Sequence, residues 1–234
     1  PLHHALPRSQ FHPEAPGYAI GNSGIIRFAS FLLALREINN KTDGVADGLL
    51  PTTQLKYRLR DSKRNELASL TAAFDFTGSC GSSGSAADSV TAVVGAASSD
   101  PTIVAQEVLK QTSTVQISYS STSPLLSDGV TFPYFLRTVA SDNFQTNALA
   151  DMLVNTFGYT KISTVASTST YATVGITAFF TAASAAGLEI LTSQTIPAEY
   201  HCTSTTCQLY GTQLAELGAT RSHVIVLYME AAVA

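Results

Sequence analysis

The sequence lacks several features that mark common classes of protein. No apolar run approaches the roughly 18 residues of a membrane-spanning helix. Only 13% of the 234 residues are charged and the net charge is −4, which argues against nucleic-acid binding because that function usually requires a basic face. The one basic cluster, at 56–65, alternates with apolar residues, and this pattern favours an exposed edge strand over a phosphate site. Since 45% of the residues are hydrophobic, the chain can still build a substantial core.

Motifs of familiar enzyme classes are also missing. The sequence has no GxSxG, HExxH, P-loop or GxGxxG pattern. Its five histidines are scattered, and no Cys/His pairing indicates a metal site or a nucleophile. The Gly/Ser-rich GSCGSSGS segment follows a predicted helix rather than a strand, which favours a linker over a phosphate-binding loop. We therefore expect a protein that is not an enzyme and uses neither a metal nor a cofactor.

Cysteine is scarce, with three residues in the whole chain. Cys202 and Cys207 lie in the polar segment HCTSTTCQ, and their spacing can close a small disulfide ring. Cys80 is either free or paired with another chain. Asn40-Lys41-Thr42 is the one Asn-x-Ser/Thr glycosylation signal. A disulfide and a glycosylated Asn40 together favour an extracellular compartment.

Predicted helices and strands alternate along most of the chain. Apolar residues recur at helical spacing over 23–39. Strands such as TAVVGA and ISTVAS are short and mostly apolar, as strands covered on both faces are. The other predicted helices are 66–76, 101–111, 142–157, 172–186 and 206–218, and the predicted strands are 54–60, 90–96, 114–119, 132–138, 161–167, 188–196 and 223–229. This order predicts an α/β fold with mostly parallel sheets flanked by helices.

Hydroxyl groups follow two successive predicted strands. Ser98 and Ser99 come after strand 90–96, and residues 120–122, which are Ser120, Ser121 and Thr122, come after strand 114–119. Ligands of open parallel sheets bind beyond the carboxyl ends of the strands, and a helix start there favours a carboxylate or phosphate. The alternative is that Ser-Ser-Asp-Pro is an ordinary helix start, with Ser99 or Asp100 as the N-cap. Asp100 supports the alternative, because its carboxylate would repel an anion.

Two further residues stand where a strand gives way to a helix. Asp142 lies in TVASDNFQ, and Tyr171 begins the helix after strand 161–167. Both positions suit contact with a ligand. The alternatives are an N-cap for Asp142 and an ordinary half-buried tyrosine for Tyr171.

Five segments in the same order resemble one known family, the ligand-binding "Venus flytrap" domain of class C G-protein-coupled receptors. They are FASFLLALREINNKTDG, VVGAASSDPTIVAQEVLK, VQISYSSTSPLLSD, FPYFLRTVASDNFQTNALADML and STYATVGITAFF. The metabotropic glutamate, GABA-B and taste receptors carry this domain, which is related to periplasmic amino-acid-binding proteins. The resemblance implies a type 1 periplasmic-binding-protein-like fold. It predicts a partial first lobe over 1–140, lacking its first strand, and a partial second lobe over 141–234.

The resemblance also implies a site and a function. Ser99 would hold the α-carboxylate of an amino-acid-like ligand with help from the helix-start amides, and Ser120 and Thr122 would contact the carboxylate and the amine. Ser98 and Ser121 belong to the same predicted ligand site. Asp142 would bind the ammonium group, and Tyr171 would lie over the ligand. The function implied is an extracellular ligand-sensing domain, dimeric through its first lobe, on a membrane protein. The alternative is a periplasmic or secreted protein that delivers small solutes to a transporter.

Overall fold

The computed structural model describes residues 21–79, 89–197, 210–220 and 222–229. The chain divides into two compact units, Pro1–Asp61 and Ser62–Ala234. Cys80, Cys202 and Cys207 lie outside the described residues. No described helix has both the length and the apolar character needed to cross a bilayer.

The first unit contains helix α1, Gly21–Asn39, which confirms the predicted helix. Its end is held by a side chain: Asn39 donates from Nδ2 to the Leu55 carbonyl at 2.8 Å and accepts from the Leu55 N–H at 2.7 Å. Tyr57 packs edge-on against Phe28 and Phe31 of α1, with ring centroids about 6 Å apart, at 6.1 and 6.0 Å. The segment after α1 is thus attached to the helix by one amide side chain and one aromatic cluster.

The strand predicted at 54–60 is wrong, because these residues have no regular secondary structure. A strand needs a neighbouring strand to take its backbone hydrogen bonds, and the described part of this unit offers none. The Asn39 side chain takes two of these bonds instead. Tyr57 therefore packs against α1 rather than lying in an edge strand.

The second unit begins with α2 and a parallel sheet. Helix α2 spans Glu66–Phe76, and Asn65 caps it by accepting from the Ala68 N–H at 3.1 Å. Strands β1 (Ala92–Val94), β2 (Val115–Ser118) and β3 (Phe135–Arg137) pair in that order, all parallel. Helix α3, Ser99–Leu109, connects β1 to β2 and packs against α2. Their shared core contains Ala73, Val93, Ala105 and Leu109.

A separate parallel sheet follows, with the strand order β5-β4-β6. Its elements are α4 (Asp142–Asp151), which continues as a π-helical turn over Met152–Thr156, β4 (Lys161–Ser167), α5 (Thr170–Ala185), β5 (Glu189–Ile196), α6 (Gly211–Ala219) and β6 (Ile225–Tyr228). Strand β4 is buried from Ile162 to Ser167, as expected for a central strand covered on both faces. The core between α4, α5 and this sheet includes Leu153, Ile162 and Phe179.

The order of this second sheet determines where a ligand could bind. From β4 the chain passes through α5 to β5 on one side, then through α6 to β6 on the other side of β4. The direction of winding therefore reverses between β4 and β6. Open α/β sheets bind ligands beyond the carboxyl ends of strands at such a switch point. The residues that follow β4 and those that end β6 are thus the first places to look for a site.

The predicted elements other than 54–60 are confirmed, with shifts at some ends. Strand β1 covers three residues rather than 90–96. Helix α3 begins at Ser99 with Ser98 as its N-cap, so the prediction that Ser99 or Asp100 caps it is wrong. Pro101 still falls in the first turn, where the backbone N–H groups have no intrahelical acceptor and a missing one costs little.

Candidate functional site

Hydroxyl groups hold the loops at the carboxyl edge of the first sheet. Ser118 Oγ donates to the Ala96 carbonyl at 2.6 Å and accepts from the Ser121 N–H at 3.0 Å. Ser121 Oγ shares a 2.7 Å hydrogen bond with Thr102 Oγ1 of α3. The loop after β1, the loop after β2 and the first turn of α3 therefore form one connected network. Gly95 precedes it with φ of +128°, a conformation that a residue with a side chain would adopt only with strain.

The structure brings the predicted serines and threonine together at this edge but gives them different surroundings. Ser99 is 3% exposed, and its Oγ accepts from the Ser123 N–H at 3.4 Å. Ser121 is buried and bonded to Thr102. Three other hydroxyl residues are half-buried: Ser98, Ser120 and Thr122. The Ser98 side chain makes no capping hydrogen bond, so it can face another group.

Asp142 lies at the first residue of α4, but it does not cap the helix. Ser141 is the N-cap, and its side chain accepts from the Asn143 N–H. The Asp142 N–H donates to the Thr122 carbonyl at 2.9 Å, which joins the loop after β2 to the start of α4. Its carboxylate is 1% exposed, and neither oxygen has a hydrogen-bond partner. The N-cap alternative is therefore wrong for Asp142.

Three side chains influence this carboxylate. Burial raises the pKa of Asp142, and the Thr122 hydroxyl, the Tyr228 hydroxyl and the Arg137 guanidinium oppose the increase without cancelling it. None of the three closes a hydrogen bond of normal geometry to it. Arg137 instead donates to the Ser123 carbonyl at 2.9 Å and to Ser127 Oγ. The carboxylate thus remains a buried acceptor with unused capacity, and a cationic donor is the group that would best satisfy it.

Tyr228 interacts with Asp142, and Tyr171 of α5 packs against the Tyr228 ring. Tyr171 is half-buried near the start of α5, and Tyr228 ends β6 with 3% of its surface exposed. Their ring centroids are 5.2 Å apart at an interplanar angle of 36°. Burial, and then the Asp142 charge, raise the pKa of Tyr228, so the phenol stays protonated at neutral pH. The two rings flank the switch point between β4 and β6.

Gly175 allows Tyr228 to occupy this position. A Cβ atom on Gly175 of α5 would collide with Cε1 and Cζ of the Tyr228 ring. The ring therefore lies directly on the helix backbone, and its hydroxyl has no hydrogen-bond partner. Sequence reasoning missed Tyr228. Its place near the end of the predicted strand 223–229, on the carboxyl edge of the sheet, was the available signal.

The other predictions concern glycosylation of Asn40 and the expected lack of a metal site. Asn40 follows α1 in a turn, where its Nδ2 donates to Asp43 Oδ2 at 2.6 Å and its Oδ1 accepts from Thr42 Oγ1 at 3.1 Å. Glycosylation of Asn40 stays a prediction. Among the described residues, no group of three or more His, Cys, Asp or Glu side chains is arranged to hold a metal ion.

The sequence matches a known family over most of its length. Residues 26–234 match the model of the "Receptor family ligand binding region". Metabotropic glutamate receptor 4 of Macaca fascicularis is 33% identical over 180 residues, which is 71% of this chain and 19% of that receptor. Taste receptor type 1 member 3 of Homo sapiens is 31% identical over 199 residues, 81% of this chain and 23% of the receptor. Metabotropic glutamate receptor 6 of Oryctolagus cuniculus is 32% identical over 209 residues, 79% of this chain and 23% of the receptor.

The chain therefore spans about a fifth of the length of these receptors. The match agrees with the structure, in which two parallel sheets are flanked by helices. The order of the five sequence segments, the periplasmic-binding-protein-like α/β architecture and the family match point to the same conclusion. The chain belongs to the receptor family ligand-binding region, the Venus flytrap type of domain found in class C G-protein-coupled receptors.

Proposed function

We propose that this chain is part of an extracellular ligand-sensing domain that binds a small amino-acid-like ligand between two lobes. The observation that carries the proposal is the Asp142 carboxylate, which is buried, has no hydrogen-bond partner and stands beside paired aromatic rings. A ligand ammonium group satisfies such a carboxylate by charge-assisted hydrogen bonds. It also gains from the faces of neighbouring aromatic rings.

The same site offers hydroxyls and helix-start amides for the other end of an amino acid. Ser98 and Ser99 begin α3, whose first-turn N–H groups and positive dipole end favour a carboxylate. Ser120, Ser121 and Thr122 follow the adjacent parallel strand. Because Thr122 also holds the Asp142 backbone, the proposed carboxylate and ammonium contacts belong to one continuous structure. Tyr171 covers the ligand from the second sheet.

The mechanism proposed is closure of two lobes, with a first lobe over 1–140 and a second over 141–234. The two sheets support this division, since β3 ends at Arg137, β4 begins at Lys161 and the sheets share no strand among the described residues. A ligand that contacts both lobes binds the closed arrangement more tightly and shifts the population toward it. In the proposed receptor, that shift is the signal, transmitted through a dimer formed by the first lobes. A solute-binding protein would use the same closure to deliver cargo to a transporter.

A thermal-shift screen tests the proposal. The intact protein is measured with the common amino acids, GABA and small carboxylates, and each compound that binds is also incubated with the protein and assayed for products. A ligand at a hundred times its dissociation constant should stabilise the protein by about 2.7 kcal/mol. Stabilisation by an amino acid that is recovered unchanged supports the proposal. Product formation would identify an enzyme, and no stabilisation by any compound would contradict ligand sensing of this class.

A further inference from the structure

The residue that the proposed site leaves unexplained is Tyr228. It is almost completely buried, its hydroxyl completes no hydrogen bond of normal geometry, and it lies close enough to the side chains of Asp142 and Tyr171 to interact with both. A buried phenol normally finds a partner for its O–H group. Its position is also held by a specific feature of the chain, because only a glycine at 175 leaves room for the ring. An unsatisfied group that the fold accommodates so closely calls for a functional explanation.

Tyr228 and Asp142 reach the same place from different elements, the end of β6 and the start of α4. Asp142 is fixed by its N–H bond to Thr122 in the loop after β2, at the edge of the first sheet. Tyr228 is fixed at the end of β6 by Gly175 and by the Tyr171 ring. Their unpartnered atoms are two carboxylate oxygens, Oδ1 and Oδ2, and one phenol oxygen, Oη. Together they supply three hydrogen-bond acceptors in one buried place.

We propose that Tyr228 is a ligand-contacting residue that makes this site selective for an unmethylated primary ammonium group. A primary ammonium carries three N–H donors, which match the three unpartnered acceptors of Asp142 and Tyr228. The phenol accepts one donor through a lone pair and remains free to direct its own proton elsewhere. The neighbouring ring of Tyr171 adds an aromatic face to the cation. This inference rests on the proposed function, because it needs an amine ligand.

N-methylation breaks this match. A secondary ammonium has one donor fewer, so one buried acceptor stays unpaired, and an unpaired polar group in a desolvated site is costly. A site that hydrogen-bonds a particular ligand group discriminates strongly against analogues that lack it. Tyr228 thus determines specificity rather than serving only as packing on α5.

The experiment compares methylated and unmethylated amines. The intact protein is titrated calorimetrically with the common L-amino acids that carry a primary amine. The tightest binder is then compared with its N-methyl and N,N-dimethyl derivatives. The variants are Tyr228→Phe, which keeps the ring on Gly175, and Tyr159→Phe as a matched control at a tyrosine that is 40% exposed. Melting curves establish that both variants are folded.

Wild type and Tyr159→Phe should bind the N-methyl amino acid about tenfold or more weakly than the parent, the order expected from one hydrogen bond to a charged group. Tyr228→Phe should bind the parent about tenfold more weakly. It should also show little preference between the parent and N-methyl forms, since the third acceptor is gone. Equal discrimination by wild type and Tyr228→Phe would overturn this inference alone. Tighter binding of every amine by Tyr228→Phe would also overturn it, because the hydroxyl would then compete with the ligand. No binding by any amino acid would overturn the proposed function together with it.

Discussion

The N–H of Asp142 donates to the carbonyl of Thr122 at 2.9 Å, so the loop that ends β2 and the start of α4 are joined by one backbone hydrogen bond. This bond fixes the Asp142 backbone while Ser141 takes over the capping of α4. The Asp142 carboxylate is therefore not needed to cap the helix. It is buried beside Tyr228 of β6, and this arrangement is the basis of the proposed ammonium site.

Asp142→Asn should change how stability depends on pH. Burial raises the folded-state pKa of Asp142 above the unfolded value of about 3.9, so the folded protein takes up the proton first. The charged carboxylate therefore lowers the free energy of unfolding at pH values above the folded-state pKa. This destabilisation disappears as the pH falls toward the unfolded-state pKa. At neutral pH the variant should be more stable by about 1 kcal/mol, on the scale of a buried unsatisfied group, and the difference should shrink in acid. Urea unfolding at several pH values measures it, with the exposed Asp151→Asn as control. A difference that does not vary with pH would contradict this prediction.

Gly175→Ala should destabilise the second sheet and displace Tyr228. The new Cβ would overlap the Tyr228 ring, and forcing extra volume into a packed core typically costs about 1–3 kcal/mol. Gly218→Ala is the matched control, since it is also helical and a Cβ there meets nothing within 4 Å. That substitution should stabilise α6 by up to about 1 kcal/mol. Thermal unfolding of both variants checks the pair. Equal effects at the two glycines would show that Tyr228 does not depend on Gly175.

The Thr102–Ser121 pair should behave as one unit. Their hydroxyls are buried and 2.7 Å apart. Thr102→Val or Ser121→Ala alone should cost about 1–3 kcal/mol, because each leaves a buried hydroxyl with a weakened set of partners. The double variant should cost clearly less than the sum of the two single changes, and a double-mutant cycle by denaturant unfolding measures the coupling. Strict additivity would contradict the network that we describe at this sheet edge.

Two helix-start serines should differ in their contribution to stability. Ser169 caps α5 by accepting from the Ala172 N–H at 3.2 Å, so Ser169→Ala should cost about 1 kcal/mol. Ser98 occupies the N-cap position of α3 but makes no side-chain cap bond. Ser98→Ala should therefore leave the melting temperature nearly unchanged while weakening carboxylate binding. If Ser98→Ala destabilised the protein as much as Ser169→Ala, Ser98 would be a structural cap rather than a ligand contact.

The sequence predicted most of the second unit because its local patterns agree with its tertiary structure. Strand β4 and helix α2 have the bounds predicted for them, since an apolar run over 161–167 and a capped apolar repeat from 66 admit few alternatives. The prediction of a strand at 54–60 failed because alternation of apolar and polar residues indicates which side chains are covered, not whether a neighbouring strand exists. Here α1 provides the cover, and Asn39 takes the hydrogen bonds.

The site was predictable only in outline. Strand order and the position after each strand indicated residues 98–99, 120–122, Asp142 and Tyr171, and the structure places them at sheet edges. Which of Ser98 and Ser99 is the N-cap of α3 was not predictable. A proline is accepted anywhere in the first turn, so Pro101 does not define the first helical residue. Tyr228 was missed because its position depends on Gly175, 53 residues earlier in the chain. Contacts of that kind cannot be read from a local pattern.

A calorimetric comparison of one amino acid with its desamino analogue tests the central claim most directly. The intact wild-type protein and Asp142→Asn are each titrated with the best-binding amino acid and with the same acid lacking its amine. We predict that wild type prefers the amino acid by about tenfold to a hundredfold, since hydrogen bonds to charged groups contribute about 1.5–3 kcal/mol. Asp142→Asn should lose this preference while still binding the desamino acid. If Asp142→Asn bound the amino acid as tightly as wild type, the buried carboxylate would not be the ammonium site.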